Sequence, residues 1–313
     1  MALQKIELED RKLLDSYLLT KSDRTCDMVF PNIYLWSKKY QVGYEIVEDC
    51  LVFGEEGRKE YNRSFPFGTE ENKKKAVLHF MRQAQRNNVE WFFNLVTESD
   101  FERLESWFPG CFTIKFNRDR ADYVYETEKL VTLSGKKYHK KKNHVNKFRS
   151  LYPDWSYEAI TDENVEECLE MAALWCELNG CSDDTDKNDE MCVTKRALCL
   201  LKELDLTGGL IRVNGKVVAF AIGEQLQEEM FCVHIEKALT EYQGAYPMIN
   251  QQFALHAALD YQYINREEDT GLEGLRQAKE SYRPVFLLKK GYAYLNLEAC
   301  EKYLAQEKAY DKN

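Results

Sequence analysis

Tyr261-Gln262-Tyr263-Ile264-Asn265-Arg266-Glu267-Glu268-Asp269-Thr270-Gly271-Leu272-Glu273-Gly274-Leu275-Arg276-Gln277-Ala278-Lys279-Glu280-Ser281-Tyr282-Arg283-Pro284 reads as a short strand, a charged elbow and a helix. Tyr261, Tyr263 and Ile264 give the strand, and the charges begin directly after it. Thr270 stands where an N-cap is expected, with Glu273 three residues on to complete a capping box. Leu272, Leu275, Ala278 and Tyr282 then mark an apolar stripe at helical spacing. Arg276, Lys279 and Arg283 fall at i, i+3 and i+7 and share a different face. Pro284 bars further regular helix. The carboxyl end of a strand entering a helix is where open α/β sheets hold ligands. The plainer reading is a cap and a solvated basic face. Against it, Asn265, Arg266, Glu267 and Asp269 crowd one strand end, more charge of both signs than a turn requires.

The elements before this junction support a mixed sheet. Residues 155–160 alternate as a strand, 163–178 and 191–204 read as helices, and 209–213 with 216–223 form a hairpin around Asn214-Gly215. Asn-Gly supplies the two positive-φ positions of a type I′ turn. A strand at 229–236 and a helix at 247–260 lead into the junction, and a strand pair over 285–297 closes it. The first half runs in a similar order. Helices at 8–20 and 30–39 precede strands at 40–47, 50–54 and 61–67. A helix at 70–87, a strand at 89–96, a helix at 99–107 and a hairpin-like pair at 111–116 and 122–127 follow. The fold class is α/β in the α+β sense, duplicated: mostly antiparallel sheets flanked by helices. The divide falls into residues 1–133, a basic connecting helix at 134–150, and residues 151–313.

Composition narrows the function classes. At 313 residues two domains are the default, and 44% hydrophobic and 13% aromatic content suffices for packed cores. The formal net charge of −10 argues against a general nucleic-acid coat. No apolar run approaches bilayer length, and the N-terminal residues lack a signal-peptide core, so a cytoplasmic location is expected. The ten cysteines form no Cys-x-x-Cys pair and the five histidines lack metal spacing around them. Inert thiols and no metal are therefore expected.

Two charged runs stand out. Residues 134–150 hold Lys136, Lys137, Lys140, Lys141, Lys142, Lys147 and Arg149 with no acid among them. Such a run serves as a solvated helix or as a wall for a polyanion, a phosphate-bearing lipid, a cofactor pyrophosphate or an RNA end. The run Asp183, Asp184, Asp186, Asp189 and Glu190 resembles a calcium loop, but Asp189 and Lys195 stand where glycine and glutamate are required, so a solvated loop is expected.

The blocks 134–148 (Ser-Gly-Lys-Lys-Tyr-His-Lys-Lys-Lys-Asn-His-Val-Asn-Lys-Phe) and 263–284 together resemble a bacterial family related to the catalytic domain of phosphatidylglycerol lysyltransferases. The resemblance implies two tandem acetyltransferase-like (GNAT) folds, as in Fem-type aminoacyltransferases, which move an aminoacyl group from aminoacyl-tRNA to a lipid headgroup or an amine. Acetyltransferases of this fold hold the CoA pyrophosphate with Arg/Gln-x-x-Gly-x-Gly/Ala before a helix. Here Glu241-Tyr242-Gln243-Gly244-Ala245-Tyr246 keeps only the middle glycine, which disfavours acetyl-CoA as donor. The lysyltransferases also carry a membrane-embedded half, and no counterpart appears in this sequence.

The leading reading is an aminoacyl transfer by direct attack on an already activated ester. Lys140, Lys141, Lys142, Arg276 and Lys279 are expected on phosphate, with His144, Asn146 and Arg266 beside them. Asp269, Glu267 and Glu236 are the base candidates, Asn265 a polar donor, and Tyr246 and Asn250 cleft lining. The donor is an anionic molecule, a tRNA 3′ end or a CoA-like carrier, and the acceptor brings contact with anionic lipid. The alternatives are a CoA-dependent N-acyltransferase and a non-catalytic module that docks RNA or anionic membrane.

Overall fold

The computed structural model describes residues 3–56 and 61–310. Residues 1–2, 57–60 and 311–313, which fall within the two expected domains, lie outside the described residues. The chain divides into two compact units, Met1–Ala121 with Leu288–Asn313, and Asp122–Leu287. This differs from the expected divide at 133/134: the segment from 122 onward, the basic run included, belongs to the second unit, and the C-terminal tail returns to the first.

The first unit contains β1 (Gln4–Lys5), α1 (Arg11–Leu18), α2 (Phe30–Tyr40), β2 (Val42–Val47), β3 (Cys50–Glu55), β4 (Tyr61–Ser64), α3 (Glu70–Asn87), β5 (Trp91–Val96), α4 (Glu98–Trp107) and β6 (Phe112–Phe116). The second contains β7 (Asp122–Glu126), α5 (Thr127–Thr132), α6 (His139–Leu151), β8 (Ser156–Ala159), α7 (Val165–Leu178), α8 (Thr185–Cys199), β9 (Thr207–Val213), β10 (Lys216–Gln227), β11 (Met230–Ala238), α9 (Ala245–Ala257), β12 (Tyr263–Asn265), α10 (Glu273–Glu280) and β13 (Phe286–Leu288). The chain then re-enters the first unit as β14 (Gly291–Leu295) and α11 (Leu297–Tyr310).

Strand pairing explains the divide. The first unit has an antiparallel sheet β1-β2-β3 and a sheet β4-β5-β14-β6. In the latter β4 runs parallel to β5, and β14 runs antiparallel to both neighbours. The second unit has one sheet, β13-β7-β12-β11-β10-β9-β8. In it β11 and β12 are parallel, and β7 pairs antiparallel with β12. The segments 111–116 and 122–127 are therefore not a hairpin, and neither are the two strands expected over 285–297. Each pair splits between sheets: β7 enters between β12 and β13, and β14 between β5 and β6. A 3-10 turn at Arg118–Arg120 stands where a hairpin needs a tight reversal. Alternation marks a strand without naming its partner.

Local chemistry accounts for most elements. Thr69 Oγ1 accepts from Asn72 N to start α3, whose Ala76, Val77, Phe80, Met81 and Ala84 are buried. Asn214 and Gly215 take φ of 48° and 75°, as the hairpin turn demands. The acidic run is not a loop: Asp184 accepts from Lys187 N and caps α8, because a carboxylate satisfies the free amides of a first turn. Cys176 of α7 is joined as a disulfide to Cys181 in the 3-10 turn that precedes α8, where inert thiols are expected. Around α9 the second core gathers Met248, Ile249 and Phe253 with Ile211, Val218, Phe231 and Ile264.

Helix α10 inverts its sequence pattern. Leu272 is 62% exposed and Leu275 38%, whereas Lys279 is only 8% exposed. Thr270 is not the N-cap. It sits at φ 50°, and the helix begins after Leu272 without a side-chain cap. Asp269 takes the turn instead, its Oδ1 accepting from Gly271 N at 2.9 Å. Ionic and hydrogen-bond partners under the helix, described below, outweigh the apolar stripe, of which only Tyr282 is buried.

Candidate functional site

A bulge in β11 builds two polar clusters from one strand. Phe231 lies edge-on to Phe253 of α9 at 5.8 Å, so strict alternation would turn Glu236 away from that helix. Ile222 pairs with Ile235 and Gly223 with Val233, which leaves His234 as an extra residue. A bulge re-aims the side chains beyond it. Glu236 thereby meets Asn250 of α9, while Cys232 and His234 keep to the other face of the sheet with Glu224, the partner of Cys232 on β10.

On the α9 face, Glu236 Oε1 accepts from Arg266 Nη2 at 3.0 Å and Oε2 from Asn250 Nδ2 at 3.1 Å. The Arg266 guanidinium lies 4.9 Å from the centre of the Tyr282 ring and 5.8 Å from that of Tyr125. Lys141 Nζ sits over the same Tyr282 ring at 4.1 Å, a cation–π geometry. Thus one lysine of α6 faces the elbow. Burial, reinforced by repulsion from Arg266 and partly offset by Glu236, brings the Lys141 ammonium down to about 8. Burial drives Tyr282 and Tyr125 hydroxyls well above the usual phenol range. Two polar atoms here are buried without a hydrogen-bond partner, Arg266 Nη1 and Asn250 Oδ1. Leaving such groups unsatisfied is costly. Counting Lys141 and Arg266 against Glu236, the cluster carries one net positive charge.

On the other face, His234 Nδ1 lies 2.7 Å from Glu267 Oε1, Nε2 lies 3.0 Å from Glu224 Oε1, and Nδ1 lies 3.7 Å from Cys232 Sγ. Burial disfavours the imidazolium, but Cys232 and the two carboxylates outweigh it and raise the His234 pKa well above its ordinary value. Burial pushes the Cys232 thiol up to about 12.

The remaining residues of the elbow hold it together. Asp269 is fully buried, and Arg276 grips it through Nε and Nη2, both at 2.8 Å, while Tyr123 Oη donates to it at 2.5 Å. Burial alone would raise this carboxyl; Arg276, Tyr123 and the Gly271 amide instead hold it well below the usual carboxylate range. Asn265 is also fully buried, donating to Asp122 Oδ2 at 2.8 Å and accepting from Glu267 N at 2.7 Å. Lys279 Nζ donates to the carbonyls of Arg266 and Glu268.

The structure thus brings Glu236, Arg266, Asn250 and Lys141 together. Lys140, Lys142, His144 and Asn146 lie exposed along α6. Arg276, Lys279, Asp269 and Asn265 are engaged with the protein itself, and Glu267 belongs to the opposite face from Glu236. Tyr246 Oη accepts from Trp175 Nε1 at 3.1 Å beside the cluster. Sequence reasoning missed His234, Cys232, Glu224, Tyr123 and Tyr125. A signal exists for the first two: Cys232, His234 and Glu236 fall at every second position of a strand whose other residues up to Ile235 are apolar.

Comparison with known proteins now adds to this geometry. Residues 20–294 match the family model described as phosphatidylglycerol lysyltransferase, C-terminal. The chain belongs to that family. A crystal structure of a conserved protein from Bacteroides thetaiotaomicron is 38% identical to this family member, with a TM-score of 0.86, covering 95% of this chain and 100% of the other. The structure of L-PGS from Bacillus licheniformis has a TM-score of 0.64 at 13% identity over 94% of each chain. A GNAT-family acetyltransferase from Colwellia psychrerythraea has a TM-score of 0.50 at 10% identity, covering 94% of this chain and 99% of the other. The latter two likenesses concern the fold, which is GNAT-like and tandem. An uncharacterized protein of Mycoplasmoides gallisepticum is 25% identical over 189 residues, and the match spans 59% of each of the two chains. Among the described residues of this family member, no helix is long and apolar enough to cross a membrane.

Proposed function

We propose that the chain is a transferase of the aminoacyl kind, passing an aminoacyl group from aminoacyl-tRNA to a lipid headgroup or amine at the Glu236–Arg266–Asn250–Lys141 cluster. The family supports the reaction class. The observation that carries the site is the pair of buried, unpartnered atoms, Arg266 Nη1 and Asn250 Oδ1, flanking the Glu236 carboxylate. A donor waits beside an acceptor, with a base between them.

The acceptor oxygen or nitrogen bonds to the ester carbonyl carbon while Glu236 takes its proton. Arg266 Nη1 donates to the carbonyl oxygen as it becomes anionic. Asn250 Oδ1 accepts from the α-ammonium of the aminoacyl group. The ester C–O bond then breaks, and the proton returns from Glu236 to the departing ribose oxygen. Lys141, with the exposed Lys140, Lys142 and Lys147 along α6, supplies the cationic path for phosphates.

Acetyl-CoA fits this unit poorly. Gly244 stands at φ 93°, and a Cβ there would lie 2.6 Å from the His144 carbonyl, so α6 covers the loop where a pyrophosphate would sit. Ala245 N already donates to Tyr242 O, and Gln243 N to Tyr152 Oη.

The test is transfer from radiolabelled aminoacyl-tRNA to vesicles containing phosphatidylglycerol. E236Q should lower the rate at saturating donor by about 10²–10⁴-fold and leave tRNA binding intact. Transfer from acetyl-CoA but from no aminoacyl-tRNA overturns the reading. Binding of tRNA without any transfer assigns the chain as a docking module instead.

A further inference from the structure

The His234 cluster lies on the sheet face opposite Glu236 and takes no part in the transfer just described. Its ligand-bearing atoms, Cys232 Sγ, His234 Nδ1 and Glu267 Oε1, lie within 4.8 Å of one another. We propose that these three atoms bind a zinc ion, with Glu224 orienting the imidazole from its other nitrogen.

Several features converge on this. The donor set is one thiolate sulfur, one imidazole nitrogen and one carboxylate oxygen, the mixture that suits zinc. Tetrahedral zinc with sulfur at about 2.3 Å and nitrogen at about 2.0–2.1 Å places those two atoms about 3.5 Å apart. The Sγ to Nδ1 distance is 3.7 Å. Nitrogen and oxygen around the same ion stand about 3.3 Å apart, so the 2.7 Å contact from Nδ1 to Oε1 must open by roughly half an ångström. Glu267 can make that shift, because its side chain is 25% exposed while that of His234 is 6% exposed.

The second imidazole nitrogen is already placed. Metal-binding histidines give their other N–H to a carboxylate, which fixes tautomer and ring orientation. Glu224 Oε1 lies 3.0 Å from Nε2 and has a side-chain exposure of 11%. Nδ1 is thereby left for the ion. Three protein ligands leave a fourth position open, where water would complete the shell. The ion would tie the β11 bulge to the elbow after β12, one residue from Arg266.

The experiment is zinc titration of the full chain, prepared metal-free, against a chromophoric chelator, with cobalt(II) as a spectroscopic substitute. The wild type should take up one equivalent of zinc, and cobalt should give a thiolate charge-transfer band. C232S should lose the band. H234A and E267Q should each weaken zinc at least about tenfold, and E224Q by about 10–100-fold. A C192S/C199S variant, which removes the two exposed free thiols, should bind as the wild type does. E267Q keeps the side-chain shape, so its far-ultraviolet circular dichroism and melting temperature without metal separate lost binding from lost folding. No retained zinc in the wild type, or wild-type affinity in both C232S and E267Q, overturns the site and leaves a Glu224–His234–Glu267 ionic triad.

Discussion

Lys141 is a buried cation held beside another cation, and its cost appears as a pH dependence. Burial and Arg266 bring it to about 8 from an ordinary 10.5. Between those values the unfolded chain holds a proton that the folded chain has released, so folding stability rises with pH across the window. Replacement with methionine should flatten that rise, and K141M should be more stable than wild type below pH 8. Denaturation midpoints from pH 7 to 10 for both proteins check this; an equal rise in both sinks it. Asp269 is also depressed, so its slope has the same sign, but here the ionised form is the stabilising one. Its depressed carboxyl contributes stability fully above about pH 3.9, the unfolded value, and that contribution is lost as pH falls through the folded value. D269N should therefore lose about 1.5–3 kcal/mol at neutral pH, with the gap to wild type closing in acid. Calorimetry from pH 7 down to pH 2 measures that gap.

At the scale of the element, α10 tests which of two patterns governs a short helix. Leu272→Gln and Leu275→Gln should change stability by no more than about 0.5 kcal/mol, because both side chains already face solvent. Lys279→Ala strips the donor from two carbonyls beneath the helix and should cost about 1–3 kcal/mol. Urea unfolding of the three variants decides, and the reverse ranking would contradict the inverted helix. The junction also marks where the sequence was legible and where it was not. The strand, the elbow and the helix follow from alternation, charge and helical spacing. The facing of α10 does not, because Asp269, Tyr123 and the carbonyls that draw Arg276 and Lys279 inward reach the helix only through the tertiary fold. Similarly, Glu236 reads as a polar residue late in a strand, but its meeting with Asn250 depends on a bulge at His234 that no local motif announces. The hairpin at Asn214-Gly215 needed only its own two residues, and there sequence and structure agree.

For the whole molecule, duplication was legible from element order and the boundaries were not. Strand patterns give number and spacing, whereas membership of a sheet is settled by pairs distant in sequence. Ile264 beside Tyr125 and Tyr294 beside Thr113 are such pairs. A polypeptide ending at residue 287 lacks β14, the strand between β5 and β6, and its first unit should fail to fold cooperatively. Limited proteolysis of that truncation should digest residues 3–121 while sparing the second unit. Survival of both units as resistant fragments would refute the pairing.

The return of β14 to the first unit also bears on how such a chain can change over generations. Two copies of one fold ordinarily remain separable, so that recombination can drop, reorder or transplant either. Here the second unit is continuous in sequence, whereas the first is split around it and takes β14 from beyond its sibling's boundary. A crossover inside the second unit would deliver incomplete sheets on both sides; a descendant could lose that unit as one piece, but it could not drop the first without two separate cuts.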